Sequence, residues 1–456
     1  MSKTQQLVSL LNSCSSLKHL FQIHTQIIIS GLSQQNTIIL KIVNFLSSHT
    51  PINSSSYGSL VIKQSHNSSN LWWNILIRNY ATSNNYEEAI RVFIEMRRFG
   101  VGSDEFTYPF LFKACSSFLG LKEGKQIHGD AIKIGVYNNV YVQNTLIHFY
   151  GCCKRIVDSY KVFDEMSERT VVSWNSIISA CVDCCWYYDA VEVFRVMRRC
   201  GVQPDETTMV VLLSVCAELG DLSLGKWIHC QVIEQGMFMN CQLGTSFVDM
   251  YAKCGAVDYA RLIFDKIGER NVWTWSAMIL GLAQHGFAAQ ALELFWKMKD
   301  YSHVKPNNVS FLGVLCACSH VGMAEEGRRL FQEMESVYMI KPMMAHYGAM
   351  VDILSRAGRL EEAYKFIVEM PIEADAVIWR TLLSACHIHD ISDYTGLGEK
   401  VRRWLLGLEP KRSGNLVMVA NKYAEIGLWE KAAKLRRGMK DRQLKKLAGE
   451  SRVSVF

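Results

Sequence analysis

VVSWNSIISACVDCCWYYDAVEVFRVMRRCGVQPD, residues 171–205, decides the fold. Trp174, Ile177, Ile178 and Cys181 fall at i, i+3, i+4 and i+7, and Ala190, Val193, Phe194 and Met197 repeat that spacing, so each half predicts one apolar stripe on an amphipathic helix. Ser173, just ahead of the first stripe, predicts its N-cap. Arg198 and Arg199, then Gly201 and Pro204, predict the end of the second helix. The segment reads as a helical hairpin of 35 residues.

A hairpin of this size cannot bury both stripes alone, so it needs copies of itself as neighbours. Trp73-Asn74, Trp174-Asn175 and Trp275-Ser276 recur every 101 residues. Cys115, Cys216 and Cys318 keep nearly the same beat, as do Gly124-Lys125, Gly225-Lys226 and Gly327-Arg328, and Ile127-His128 and Ile228-His229. Each period divides into three hairpins, 171–205, 206–240 and 241–271, with lengths of 35, 35 and 31 residues. The prediction is an all-α fold, a right-handed α-solenoid of tandem helix-turn-helix units.

Outward from this stretch, units run cleanly over 70–104, 105–139, 140–170, 171–205, 206–240, 241–271, 272–307, 308–343 and 344–374. Residues 1–69 read as degenerate units of the same kind: Leu10 to Leu32 parallels Leu111 to Val136 through a shared Gln-Ile-His. The hairpin from Thr37 to Ser69 is expected to be the least stable part, its second helix eroded into Ser/Asn-rich sequence at Pro51 to Tyr57 and Ser65 to Ser69. Residues 375–456 keep helical spacing but lose the repeat landmarks, and read as a distinct helical extension capping the array.

Composition narrows the function classes. The chain is 49% hydrophobic and 20% charged, ordinary for folded protein, and no run of about eighteen apolar residues predicts a membrane span. Fifteen cysteines, three of them at one equivalent place among apolar neighbours, read as small buried hydrophobes in a reducing compartment. The net charge of +6 is concentrated in residues 375–456, with sixteen Lys/Arg against nine Asp/Glu, including Arg402, Arg403, Lys411, Arg412, Arg436, Arg437, Lys440, Arg442, Lys445 and Lys446. That basic set reads either as a solvated helix face or as a docking surface. Bulk charge therefore predicts no nucleic-acid binding by the array itself. The first seventy-seven residues are acid-poor and Ser-rich but lack arginine, so they read as repeat rather than transit peptide.

The units 171–205, 206–240 and 241–271 resemble, in that order, the P, L and S variants of the pentatricopeptide repeat. Gly-Lys-x-Ile-His in the L type, and Met-Tyr-Ala-Lys-Cys-Gly with Phe-Asp in the S type, carry the likeness over roughly residues 4–374. The tail, from DAVIWRTLLSACHIH to GESRVSVF, resembles the E extension of many plant members of the PLS subclass. The resemblance implies a protein of mitochondrion or chloroplast that binds single-stranded organellar RNA. It also implies specification of C-to-U editing sites, with a deaminase-bearing protein or other editing factors recruited through residues 375–456.

The physics of the array fits such reading. Thr107, Ser173, Thr208, Thr274 and Ser310 are expected as N-caps, and two residues on, the fifth place of each unit falls off the packed stripe. It holds Asn74, Asn144, Asn175, Thr245 and Ser276 in P and S units, and Pro109, Val210 and Leu312 in L units. A polar row at one off-core position suits contact with something polar, and one unit per base is how helical repeats read single-stranded RNA. The resemblance pairs the fifth residue with the last: Asn74 with Asp104, Asn144 with Thr170, Asn175 with Asp205, Thr245 with Asn271 and Ser276 with Asn307. It implies the base order U, any, pyrimidine, U, any, A, A. The last unit departs from the pattern, with Gly348 and Ala374 at the pair positions. The same residue types also cap helices and fill turns everywhere, a purely structural alternative.

Catalytic constellations are not apparent. A zinc deaminase needs His-x-Glu beside Cys-x-x-Cys; no His-x-Glu occurs, and Cys181 to Cys184 is an isolated pair. His128 and His229 recur beside Ile and read as packing residues. The expectation is a non-enzyme with no cofactor, no catalytic residue and no metal site. Two alternatives stay open: a factor for RNA splicing or stability, and a protein-binding scaffold like tetratricopeptide arrays, which would favour uniform 34-residue units.

Overall fold

The first helix of a hairpin packs one stripe against its hairpin partner and another against the neighbouring hairpin, as the helix Val140–Cys152 does with Ile156–Glu165 and with Thr107–Ser117 and Val171–Asp183. The computed structural model describes residues 3–48, 54–64, 70–83, 85–301, 303–389, 396–410, 412–425, 427–442 and 444. Among the described residues there are 26 α-helices and no strand, an all-α repeat solenoid. Contacts divide the chain into two compact units, Met1–Val215 and Cys216–Phe456.

The first unit holds α1 (Lys3–Asn12), α2 (Leu17–Ile29), α3 (Asn36–Ser48), α4 (Ser54–Gln64), α5 (Asn70–Thr82), α6 (Tyr86–Arg98), α7 (Thr107–Ser117), α8 (Leu121–Ile134), α9 (Val140–Cys152), α10 (Ile156–Glu165), α11 (Val171–Asp183) and α12 (Tyr187–Arg199). The division falls within α13 (Glu206–Leu219). The second unit holds α14 (Leu222–Glu234), α15 (Cys241–Lys253), α16 (Val257–Lys266), α17 (Val272–Gln284), α18 (Ala288–Tyr301), α19 (Asn308–Val321), α20 (Ala324–Ser336), α21 (Met344–Arg356), α22 (Leu360–Val368), α23 (Ala376–Ile388), α24 (Leu397–Leu408), α25 (Ser413–Glu425) and α26 (Trp429–Asp441).

First helices of successive hairpins stack directly: α3, α5, α7, α9 and α11 in the first unit, and α15, α17, α19, α21 and α23 in the second. Trp73 and Trp174 are buried in these layers, each such aromatic contributing roughly 1.5–3 kcal/mol. The 101-residue period repeats at atomic detail. Trp174 meets Phe163 edge-on at 4.9 Å, and Trp275 meets Phe264 at 5.2 Å. Arg169 and Arg270 cover those phenylalanines and donate to the carbonyls of Phe163 and Phe264. Cys115, Cys216 and Cys318 are all buried.

The Gly-Lys-x-Ile-His motif has a packing cause. A Cβ on Gly124 would lie 2.0 Å from the Phe149 ring, one on Gly225 2.4 Å from Met250, and one on Gly327 2.7 Å from Ile353. Lacking it, the second helix of each L hairpin sits directly on the next first helix. His128 and His229 then bond through Nδ1 to the Tyr150 and Tyr251 hydroxyls, at 2.8 and 2.9 Å. Burial lowers the pKa of both rings, which suits neutral hydrogen-bonding histidines.

Two expectations are corrected. The second helix of the Thr37–Ser69 hairpin is present as α4, because Val61 and Ile62, both buried, supply a core face to its serine-rich start; Pro51 to Asn53 and Ser65 to Ser69 lie outside the described residues. The N-caps also differ. The helices begin two residues earlier than Ser173, Thr274 and Ser310, and the last residue of the preceding hairpin does the capping: Thr170, Asn271 and Asn307 accept from the N–H groups of Ser173, Thr274 and Ser310. Ser173 and Ser310 reciprocate as third helical residues in capping boxes. The helix extends to wherever a side-chain oxygen can take the orphan N–H, and the apolar stripe starts later than that.

In the tail, residues of α21 through α26 contribute to one continuous core from Tyr347 to Ala432. Arg402 is buried, 3.2 Å from Glu399 and against the Tyr423 ring, so it leaves the basic face. Arg436, Arg437, Lys440 and Arg442 are exposed; Lys411, Lys445 and Lys446 lie outside the described residues.

These packings set opposite expectations for two glycines. Gly124→Ala should destabilise by about 1–3 kcal/mol, because the Phe149 ring is itself fully enclosed. Gly438→Ala, inside α26 with nothing within 4 Å, should stabilise by up to about 1 kcal/mol. Urea unfolding of the two variants beside the parent chain measures both signs.

Candidate functional site

The stacking of first helices places the fifth residue of one hairpin beside the start of the next. In the 171–205 hairpin, Asn175 Nδ2 donates to Asp205 Oδ1 at 2.9 Å, and the Thr208 hydroxyl lies 2.6 Å from Asn175 Oδ1 and 2.8 Å from Asp205 Oδ1. Asp205 Oδ1 also accepts the Thr208 N–H at 2.8 Å. The same triangle stands 101 residues earlier, with Asn74 donating to Asp104 at 2.9 Å and the Thr107 hydroxyl 2.7 Å from Asn74 Oδ1. Three consecutive chain features are thus tied: a first helix, the end of its hairpin, and the start of the next helix.

The remaining pairs vary the theme. Ser276 donates to Asn307 Oδ1 at 2.9 Å and meets the Ser310 hydroxyl at 2.9 Å. Thr245 reaches Asn271 through Thr274, its hydroxyl 2.6 Å from that of Thr274, which lies 3.0 Å from Asn271 Oδ1. Asn144 and Thr170 share no such bond: Thr170 caps α11 with Ser173, while the buried Asn144 Oδ1 has no partner among the described residues. In the L hairpins, Pro109 has no N–H and sits buried, and Val210 and Leu312 are apolar. Gly348 and Ala374 of the last repeat carry no polar side chain, and the helix there starts with His346 accepting from the Met343 N–H at 3.1 Å.

The expectation that the fifth residues stand off the packed face is corrected. Asn74 is 8% exposed, Asn144 6%, Asn175 7% and Ser276 1%. Stacked first helices cover these positions, because the neighbouring helix begins directly over them. Their partners are more open: Thr170 and Asn271 are exposed, and Asp104, Asp205 and Asn307 half-buried. Thr107, Ser173, Thr208, Thr274 and Ser310 are the third member of each cluster; their three-residue spacing from the pair's last residue was the available signal for that role.

The triangle holds a charge. Burial alone would push Asp205 up, but the Thr208 N–H, the Asn175 amide and the Thr208 hydroxyl all favour the carboxylate and leave it below the usual range. Elsewhere, Cys181 bonds the Tyr160 hydroxyl at 3.3 Å while Cys184 turns to the Gly151 carbonyl at 3.6 Å, so this pair faces two different partners. Among the described residues no helix is long and apolar enough to cross a membrane.

Comparison with known proteins adds the following. The PPR repeat family pattern matches residues 70–117 and 169–218, and the PPR repeat pattern matches 144–171, 273–303, 309–337 and 345–373. The E motif matches residues 394–454. A pentatricopeptide repeat-containing protein of Arabidopsis thaliana is 54% identical over 450 residues, covering 99% of this chain and 89% of that protein. A second from Arabidopsis thaliana, named as chloroplastic/mitochondrial, is 37% identical over 467 residues, covering 99% of this chain and 72% of that protein. Among solved structures, the pentatricopeptide repeat protein PPR10 in complex with an 18-nt psaJ RNA element, a protein from maize, superposes with a TM-score of 0.62 at 15% identity, over 96% of this chain and 79% of that one.

The depressed Asp205 sets a pH signature. Its contribution is present above the unfolded carboxylate value of about 4 and is lost as pH falls through the lower folded value. Asp205→Asn should therefore be less stable than the parent at pH 7, with the gap closing below about pH 4; urea midpoints at pH 7 and pH 3 test this.

Proposed function

The chain belongs to the pentatricopeptide repeat family, and on that premise we propose that it is a sequence-specific single-stranded RNA-binding adaptor of a plant organelle, mitochondrion or chloroplast. It specifies C-to-U editing sites and recruits a separate deaminase-bearing protein through residues 375–456, within which the E motif falls. One observation supports the reading most: the polar fifth residue and the last residue meet in four of the six P and S hairpins, directly or through one hydroxyl, and L hairpins lack the cluster. Such a pair presents one fixed donor and acceptor pattern per hairpin, which is what reading one base per repeat requires.

The proposed RNA-binding residues are Asn74, Asp104, Asn144, Thr170, Asn175, Asp205, Thr245, Asn271, Ser276 and Asn307. The burial of Asn74, Asn144, Asn175 and Ser276 gives those four side chains a defined rotamer before RNA arrives, so less ordering is needed on binding. The partners Asp104, Asp205 and Asn307 are half-buried, and the buried Asn307 Nδ2 donor has no partner among the described residues. The array binds and positions; the deamination itself falls to the recruited protein. A role in RNA splicing or stability would rest on the same physics, and sequencing of organellar transcripts from a null mutant separates it from editing.

Binding of the purified chain to an RNA carrying U, any, pyrimidine, U, any, A, A should exceed binding to a scrambled RNA at matched salt, and equal affinity overturns the proposal. The double change Thr245→Asn with Asn271→Asp should shift preference at that one base from A to U by a factor of roughly five to ten, about 1–1.4 kcal/mol. The aspartate still caps α17, so unfolding midpoints should stay close to the parent's.

A further inference from the structure

The C-terminal turns of α9 and α11 bring together three side chains that no spacing along the chain announces. His148 and Cys152 stand one turn apart on α9, and Asp183 is the last residue of α11, thirty-one positions beyond Cys152. Cys152 Sγ lies 3.6 Å from His148 Nε2 and 3.9 Å from Asp183 Oδ2, and one ligand atom of each residue falls within 4.8 Å of the others. Among the described residues this is the one such group of three or more metal-ligating side chains.

We propose that His148, Cys152 and Asp183 form a three-ligand zinc site that clamps the first helices of adjacent hairpins together. A tetrahedral zinc, with bonds of about 2.3 Å to sulfur, about 2.0–2.1 Å to nitrogen and about 2.0–2.2 Å to oxygen, sets neighbouring ligand atoms roughly 3.4–3.6 Å apart. The two separations from Cys152 need shifts of only tenths of an ångström, and the His148–Asp183 separation one of at most about 1.4 Å. The donor set of imidazole nitrogen, thiolate and carboxylate suits zinc over magnesium or calcium, which prefer all-oxygen shells. Thiolate and carboxylate together carry two negative charges against the two positive charges of the ion.

The surrounding backbone supports the assignment. The carbonyl ends of α9 and α11 converge here, and helix C-termini carry partial negative charge that favours a cation. Lys154 already uses part of that potential by donating to the Asp183 carbonyl. Gly151 allows the approach: a Cβ there would lie 2.7 Å from Ala180 Cα, so any larger residue would hold α9 away from α11. Without a cation, burial and then the Asp183 carboxylate push the Cys152 thiol up to about 11, and the thiol donates to Asp183. Zinc binding replaces that shared proton, which passes to solvent.

Three protein ligands leave a fourth position for water. His148 follows Asn144 by one turn on α9, and His148 is exposed. The zinc assignment itself rests on the three side chains and holds whether or not RNA is the ligand.

The test uses the full chain, stripped of metal with a chelator under reducing conditions and titrated with Co2+. The expected result is one Co2+ per chain with a thiolate-to-cobalt charge-transfer absorption, displaced by one equivalent of Zn2+. Cys152→Ser should abolish that absorption, and His148→Gln, at an exposed position that keeps the fold, should weaken Zn2+ binding by more than about 100-fold, beyond what loss of an outer-shell partner costs. Circular dichroism checks that both variants keep the parent's helix content. Absence of the absorption in the parent, or its persistence in both variants through the other fourteen cysteines, overturns the proposal.

Discussion

The close approach of consecutive first helices is the constraint on which the structure depends. A two-helix hairpin has no interior of its own, and its apolar area leaves water only where a neighbour lies against it. Small residues set how near that neighbour comes: Gly151 against Ala180, and Gly281 with its absent Cβ 2.5 Å from that of Ala252. The glycines of the L hairpins do the same for second helices. Where a small residue recurs, it marks a helix crossing, and the large residue opposite, such as Phe149, marks the surface it rests on.

That approach has a chemical consequence. Helix starts carry N–H groups with no partner inside the helix, and stacking buries them next to the preceding first helix. The chain answers with a shared cluster: the last residue of a hairpin accepts the orphan N–H, the third residue of the next helix returns a bond, and the fifth residue of the first helix closes the ring. A polar side chain at the fifth place therefore has a structural duty before any functional one. The triangle of Asn175, Asp205 and Thr208 satisfies buried polar groups and at the same time locks the orientation of an amide edge and a carboxylate edge. Structural and recognition readings of these residues are compatible, because the bonds that satisfy the helix start are also what holds the pair rigid.

The two hairpin types around a first helix divide the work. L hairpins, with Pro109, Val210 and Leu312 at the fifth place, contribute packing and, in the first two, the histidine latch onto Tyr150 and Tyr251. P and S hairpins contribute the polar clusters. The tail uses another device, an enclosed Arg402 held by Glu399 and Tyr423, in which a buried cation is offset by a carboxylate and a ring face.

By itself the sequence determined the helical class, the hairpin period and the pairs that deserve attention, because amphipathic spacing and a 101-residue recurrence are local properties that survive without coordinates. The likeness to the pentatricopeptide repeat followed from those same landmarks. Helix starts were misread by up to three residues, since an apolar stripe reports where packing begins and a cap reports where hydrogen bonding begins. Only the tertiary structure decided that Asn74, Asn144, Asn175 and Ser276 are buried, and that His148 and Cys152 share space with Asp183. Both outcomes depend on the distance between neighbouring helices, which is set by side chains some thirty residues apart and has no signature in the spacing of any one helix.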